Sequence, residues 1–278
     1  MADPASPVPS ARFRLMGDSF LFAGPGHDSQ SCRHSVSLLC AVGDQELEVR
    51  CQQRTLRGTM LMVAPLQAKT LLARGVPFVL MDAEPSHRHF RVLAAACRDS
   101  GVETFPGEPA RAFRAMAQAF HAGTLTGTDA DRAARESIDM LAATWPAPPA
   151  LDPRVRRMQK MMDLQPAITL HEMAVKLGLS DSSASRLFSR DMGIAQRIYS
   201  LSIKIRAASQ YMGSGLSLTE IGQDAGFVDS AHFAKVWTRC YGAPPSVFFP
   251  PHRLAVDNAS LPDWKQWLIG RHERRPDR

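Results

Sequence analysis

The chain has 278 residues, 45% of them hydrophobic and 22% charged, the balance of a folded protein of about two domains. Its formal net charge of +6 is unevenly placed: residues 1–150 carry 15 Lys+Arg against 15 Asp+Glu, and residues 151–278 carry 18 against 12. An excess confined to one half points that half toward a polyanion such as nucleic acid, and the lack of any apolar run of about 18–20 residues excludes a bilayer-spanning helix.

The first segment, residues 1–11, is rich in Pro, Ala and Ser. It has neither the basic start nor the apolar stretch of a signal peptide, so a disordered N-terminus and a cytoplasmic protein are expected. Residues 12–100 carry short apolar runs about ten residues apart: Ser19 to Ala23, Ser35 to Val42, Glu46 to Cys51, Thr59 to Ala64, Lys69 to Ala73, Phe78 to Asp82 and His89 to Ala94. That rhythm predicts a small antiparallel β-barrel or sandwich, with Gly43-Asp44 as a hairpin turn. Arg50, Arg54 and Arg57 read as a solvated hairpin. Cys32, Cys40, Cys51, Cys97 and Cys240 show no CxxC spacing, so neither a zinc ribbon nor a thioredoxin-type site is expected. Cys32, beside Arg33 and His34, is the one neighbourhood that could activate a thiol. His87 and His89 would share a strand face, without the further ligands a metal needs.

Residues 101–145 read as a helical segment. Ala112, Phe113, Met116, Ala117 and Phe120 form one apolar stripe, and Ala133, Ile138, Leu141 and Ala142 form another. These helices within 108–144 either cover the barrel or pair two copies of the chain, and a homodimer through them is expected. Residues 146–151, three of them proline, form an extended linker.

An internal repeat dominates residues 152–250. Thr169-Leu170-His171-Glu172-Met173-Ala174 and Ser217-Leu218-Thr219-Glu220-Ile221-Gly222 match at a fixed offset, each closed by a glycine, Gly178 and Gly226. A hydroxyl residue followed by Glu at the fourth position is a capping box. Thr169 and Ser217 are therefore predicted to cap helices, and they are also candidate phosphate contacts. A second helix follows each glycine turn. In the first, Ala184, Leu187 and Phe188 face inward and leave Ser182, Ser183, Ser185, Arg186 and Arg190 outside. In the second, Phe233, Val236 and Trp237 face inward and leave Ser230, Ala231, His232, Lys235 and Arg239. A capped helix, a glycine turn and a second helix with small polar and basic outer residues make a helix-turn-helix, whose second helix fits the major groove. Between the copies, Gln196 to Met212 predicts a linker helix about 25 Å long, compatible with holding two recognition helices about one DNA turn apart. A basic helix led by Asp152-Pro153 opens the region.

Residues 152–249 resemble the DNA-binding domain of the AraC/XylS family of transcription regulators. The resemblance rests on Asp152-Pro153-Arg154-Val155, Ser185-Arg186-Leu187-Phe188, Gly226-Phe227, His232-Phe233 and the ending Tyr241-Gly242-Ala243-Pro244-Pro245-Ser246-Val247-Phe248. It implies seven helices. It also implies base reading by Ser182, Ser185 and Arg186 in the first recognition helix and by Ser230, Ala231 and Lys235 in the second. Trp237 departs from the family's usual Phe, and Lys204-Ile205-Arg206-Ala207-Ala208-Ser209 departs from its linker-helix pattern. With two alanines, Ala231 and Ala234, the second helix is expected to act more through phosphates, by Lys235 and Arg239. Leu56 to Pro65 resembles a passage of the cupin-type sensor domains common in this family, but Cys40-Ala41-Val42 stands where metal-binding cupins carry two histidines.

The fold expected is α+β and multidomain: a cupin-like antiparallel β-barrel with two following helices, then an all-α domain of two helix-turn-helix motifs joined by a linker helix, then a tail, 251–278, with a helix around Trp264 and Trp267. The function expected is a sequence-specific transcription regulator, not an enzyme, without metal or cofactor. Its partners would be double-stranded DNA, a second copy of the chain, a small-molecule effector of unknown site and, for an activator, RNA polymerase, with no membrane. Two alternatives stay open: a regulator whose barrel only dimerises, and a redox or alkyl-transfer thiol protein fused to a DNA-binding module.

Overall fold

The computed structural model describes residues 11–249, apart from Gln53, Pro106 and Gly213, and the backbone of residues 255–258. The expectations for residues 1–10 and for a helix around Trp264 lie outside the described residues.

Among the described residues, nine strands come first: β1 (Arg12–Leu15), β2 (Ser19–Gly24), β3 (Ser29–Ser31), β4 (Val36–Ala41), β5 (Leu47–Cys51), β6 (Arg54–Gly58), β7 (Met60–Val63), β8 (Lys69–Leu72) and β9 (Phe78–Ala83). After α1 (Phe90–Ala96) and β10 (Val102–Thr104) come α2 (Glu108–Ala122) and α3 (Gly127–Ala142). One sheet runs β10-β7-β4-β9-β2-β1-β11 and the other β3-β8-β5-β6, where β11 is Ala255–Asn258. All pairings are antiparallel except that of β1 with β11.

The larger sheet is covered on both faces, and the two-residue period of its strands divides the core. Val36, Leu38 and Cys40 of β4, with Val79, Met81 and Ala83 of β9, join the cluster under α1, α2 and α3. Leu39, Ala41, Phe78 and Leu80 point the other way, into the layer between the sheets. Strands buried on both faces read as continuous apolar runs, which is why these two were easy to locate from sequence.

The helices α2 and α3 spend their stripes inside the chain. Phe113, Met116, Ala117 and Phe120 of α2 and Ala130, Ala134, Ile138 and Leu141 of α3 are buried in the same cluster. Arg14, buried at 3% exposure, donates from Nε and Nη2 to Asp131 at 2.8 Å, which joins β1 to α3.

Four expectations are corrected. His89 to Ala94 is not a strand: Phe90, Leu93 and Ala94 bury one helical face, and three consecutive alanines favour α1. His87 is consequently buried rather than on a strand surface, and the His89 ring meets Asp139 at 2.8 Å. Gly43-Asp44 is not a hairpin turn, because β4 pairs with β7 and β9 while β5 lies in the other sheet. Third, the start of the segment expected to be helical is β10, paired with β7. Fourth, part of the tail returns to the sheet: β11 runs parallel to β1 in register Arg12↔Ala255. Parallel pairing of distant segments leaves no local turn signal.

Among the described residues, seven helices follow residue 152: α4 (Pro153–Leu164), α5 (Leu170–Lys176), α6 (Asp181–Met192), α7 (Gln196–Ser209), α8 (Leu218–Asp224), α9 (Ser230–Tyr241) and α10 (Pro245–Phe248). Residues 146–152 form no regular element. Packing nevertheless crosses this stretch. The cluster under α1 to α3 continues through Trp145 and Leu151 into Val155, Met158, Phe188 and Tyr199. The last helices have their own core around Phe233 and Trp237.

Candidate nucleic-acid interface

The two repeat copies fold alike because their caps are alike. Thr169 Oγ1 accepts the Glu172 amide while the Glu172 carboxylate accepts the Thr169 amide at 2.7 Å. Ser217 and Glu220 repeat this, with the return bond at 2.9 Å. Each box satisfies amides that a helix start leaves without partners. The chain then turns at Gly178 (φ +64) and Gly226 (φ +82), a region that favours glycine. A Cβ on Gly222 would meet Phe233 Cβ in ordinary contact at 3.4 Å, so the position accepts a small residue, glycine here and Ala174 in the first copy.

Helices α6 and α9 start on side-chain caps as well. Ser180 Oγ accepts the Ser183 amide at 3.2 Å, and Asp229 accepts the His232 amide at 2.6 Å. Both helices stop on left-handed glycines, Gly193 and Gly242. Their inner faces bury Ala184, Leu187 and Phe188 in α6, and Phe233, Trp237 and Cys240 in α9.

The predicted contact residues divide by what holds them. In α6, Ser182, Arg186 and Arg190 are exposed, and Ser183 and Ser185 are half-buried. Ser183 Oγ is engaged by Ser180 at 2.9 Å, and Arg190 pairs with Asp191 at 2.8 Å. Arg186 has no ion-pair partner among the described residues. In α9, Ala231, Lys235 and Arg239 are exposed and Ser230 and His232 are half-buried. The His232 ring packs edge-on to Phe227 at 5.5 Å, which leaves it less free than sequence reasoning assumed. The Thr169 and Ser217 hydroxyls are both taken by their caps. On α4, Arg154, Arg156, Arg157 and Lys160 are exposed, extending the basic surface.

Sequence reasoning missed the attachments of these helices to the first half of the chain. The carbonyl of Arg239, near the end of α9 where helix carbonyls lack partners, accepts the Cys32 amide at 2.8 Å. The Gln30 carbonyl oxygen would stand 2.2 Å from a Cβ on Gly242, so only glycine permits this approach. Arg206 of α7 donates to Ser86 Oγ and, at 3.0 Å, to Asp163. Val228, 85% exposed in the turn before α9, was also missed. No short-range pattern marks such contacts.

Beneath the α9 attachment lies a polar cluster. Arg33 Nη1 donates to Asp82 at 2.6 Å, Ser37 Oγ donates to Asp82 at 2.6 Å, and Lys69 Nζ reaches Ser37 Oγ at 3.4 Å. Burial, then the neighbouring Arg33, pushes the Lys69 ammonium down to about 8. Burial, then the Asp82 charge, pushes the Glu84 carboxyl up to about 8, so it is protonated at neutral pH. Burial lowers His34 to about 4 and leaves it neutral.

Comparison with known proteins matches a helix-turn-helix domain to residues 173–250. The transcriptional activator NphR of Rhodococcus sp is 26% identical over 246 residues, 77% of this chain and 70% of that one. The HTH-type transcriptional regulator GbdR of Pseudomonas aeruginosa is 29% identical over 96 residues, and the match spans 34% of this chain and 26% of GbdR. Among solved structures, ToxT from Vibrio cholerae O395 aligns over 85% of this chain and 96% of its own at a TM-score of 0.53 and 10% identity. ToxT from strain SCE256 with an unsaturated fatty acid bound aligns over 86% and 93% at 0.52 and 10% identity. At that identity the likeness concerns fold. No helix among the described residues is long and apolar enough to cross a membrane.

Proposed function

Residues 173–250 are an AraC-type helix-turn-helix domain, and on that premise we propose that the protein is a transcription regulator that reads two successive major grooves per chain. The observation carrying this reading is the duplication of one capped unit, with two boxes of the same geometry and two glycine turns. It presents Ser182, Ser185 and Arg186 on α6 and Ser230, Ala231 and Lys235 on α9. Arg186, exposed beside two small hydroxyl residues, is assigned a guanine contact. Arg190, Arg239 and the basic face of α4 serve phosphates, which position without reading sequence.

The first half, residues 12–100, is read as a cupin-like sensor followed by the helical segment 101–145, the linker 146–151 and the DNA-binding domain 152–250. Because a ToxT structure holds a fatty acid, a small-molecule effector is proposed for this chain too. It would act by shifting the pose of the helices tied to Cys32, Gln30 and Ser86. Pairing of two chains remains part of the proposal. With the apolar stripes of α2 and α3 buried, the pairing would use their outer, more polar faces.

The thiol-based alternative finds less support. All five cysteines are buried and free, and burial pushes the thiols of Cys40, Cys97 and Cys240 up to about 12. The Cys32 thiol donates to the Leu66 carbonyl at 3.4 Å.

Arg186→Ala is expected to weaken specific binding by about 1–3 kcal/mol and to relax discrimination at one base pair. Fluorescence anisotropy on specific and random duplexes checks this. Equal losses on both would remove Arg186 from base reading.

A further inference from the structure

Counted from their caps, α6 and α9 run in step. Ser180 caps one and Asp229 the other, each helix is 12 residues long, and Gly193 and Gly242 close them. The same positions can therefore be compared. Ala184 and Phe233 are the first buried residues of each helix, Arg186 and Lys235 share a position, and so do Arg190 and Arg239. Where α6 carries Ser182 and Ser185, α9 carries Ala231 and Ala234. Two hydroxyls of the first copy are thus methyl groups in the second.

The turns before these helices differ as well. In the first copy only Leu179 stands between Gly178 and the cap Ser180; in the second, Phe227 and Val228 stand between Gly226 and the cap Asp229. Leu179 and Phe227 both pack into their cores. The extra residue is Val228, which has no counterpart in the first copy and is 85% exposed, so its side chain adds almost nothing to the core. The polar groups around it are largely engaged. The Asp229 carboxylate accepts the His232 amide at 2.6 Å, the His232 ring packs against Phe227, and Ser230 is half-buried. The start of α9 therefore presents Val228 and Ala231, with Lys235 one turn further on.

In a helix-turn-helix the N-terminal residues of the recognition helix meet base edges. Neither valine nor alanine side chains donate or accept a hydrogen bond. The base-edge group that suits an apolar side chain in the major groove is the C5-methyl of thymine. Against a polar base edge the same side chains would leave a donor or acceptor without a partner. We propose that Val228 and Ala231 pack on thymine C5-methyl groups, so that the second groove is selected for A·T pairs, whereas the first is read through the hydrogen bonds of Ser182, Ser185 and Arg186. Phosphate contacts by Lys235 and Arg239 accompany this readout, since they position the helix without reading sequence. A protein partner is the poorer occupant, because two side chains fall far short of the area a stable protein interface needs. The inference rests on the two-groove reading above and adds to it what the second groove must contain.

The test starts from duplexes that the full chain selects out of a random library, footprinted to locate their two protected segments. In each segment in turn, thymines on both strands are replaced by deoxyuridine, which keeps every hydrogen-bonding group and lacks only the C5-methyl. Fluorescence anisotropy then compares affinities. Replacement in one segment is expected to weaken the wild type by about fourfold or more, the worth of one buried methyl, and in the other by less than about twofold. Val228→Ser, a change at an exposed site, is expected to cut the preference for thymine over deoxyuridine by about twofold or more. Arg186→Ala is expected to keep that preference. Selected sites without A·T pairs in either segment, equal binding of the thymine and deoxyuridine duplexes, or undiminished thymine preference in Val228→Ser would overturn the proposal and leave the regulator reading standing. Failure to select any duplex would contradict the regulator reading itself, and this inference with it.

Discussion

Trp237→Ala is expected to lower stability by about 3–5 kcal/mol, the cost of emptying a large aromatic site in a core. The Trp237 side chain is fully buried, and its ring lies 4.4 Å from Tyr241, 4.8 Å from Phe249 and 5.7 Å from Phe233 between centroids. These rings belong to the separate core that α7, α8 and α9 share, so the loss falls on the second helix-turn-helix. Trp237→Phe should behave differently. The indole Nε1 is buried without a hydrogen-bond partner, and removing an unsatisfied donor offsets part of the lost volume. The phenylalanine variant is therefore expected within about 1.5 kcal/mol of wild type. Urea unfolding of the three proteins checks both figures. A mild alanine variant, or a phenylalanine variant as poor as alanine, would contradict this account of the core.

Asp82→Ala is expected to cost about 3–5 kcal/mol, because it strands buried charge. Asp82 pairs with Arg33 at 2.6 Å and accepts the Ser37 hydroxyl at 2.6 Å, and its charge also favours the buried Lys69 ammonium, which reaches Ser37 Oγ at 3.4 Å. The comparison is Asp129→Ala. Asp129 pairs with Arg132 at 2.8 Å, but both side chains are more than 60% exposed, and an exposed pair contributes about 0–1 kcal/mol. Chemical denaturation of the two variants should separate them by at least about 2 kcal/mol, the difference between those two ranges. Similar small losses would mean that the cluster under α9 is solvated.

The legible parts of the molecule were those set by neighbours in sequence. Thr169 with Glu172 and Ser217 with Glu220 announce two helix starts because a capping box is complete within four residues. Gly178 and Gly226 mark turns for the same local reason. The run Val36 to Ala41 reads as a strand because it is buried on both faces. What escaped depends on distant partners. Phe90 to Ala96 carries the apolar content of a strand, yet it folds as a helix over the sheet. The strand Ala255–Asn258 exists only because β1 offers a free edge. At the DNA face, sequence picks out the exposed Arg186 and Lys235, but it cannot tell that Ser183 and Arg190 are already engaged by Ser180 and Asp191. Nor could the +6 of the second half announce that two of the chain's most consequential cations, Arg33 and Lys69, lie in the half whose charges sum to zero.

The central claim is that one chain places two recognition helices in successive major grooves. Hydroxyl-radical footprinting of the full chain on its regulatory DNA, with the protein-to-DNA stoichiometry measured alongside, tests it most directly. The account predicts two protected segments per chain, about ten base pairs apart on one face of the duplex. A single protected segment per chain, at saturation, would contradict it.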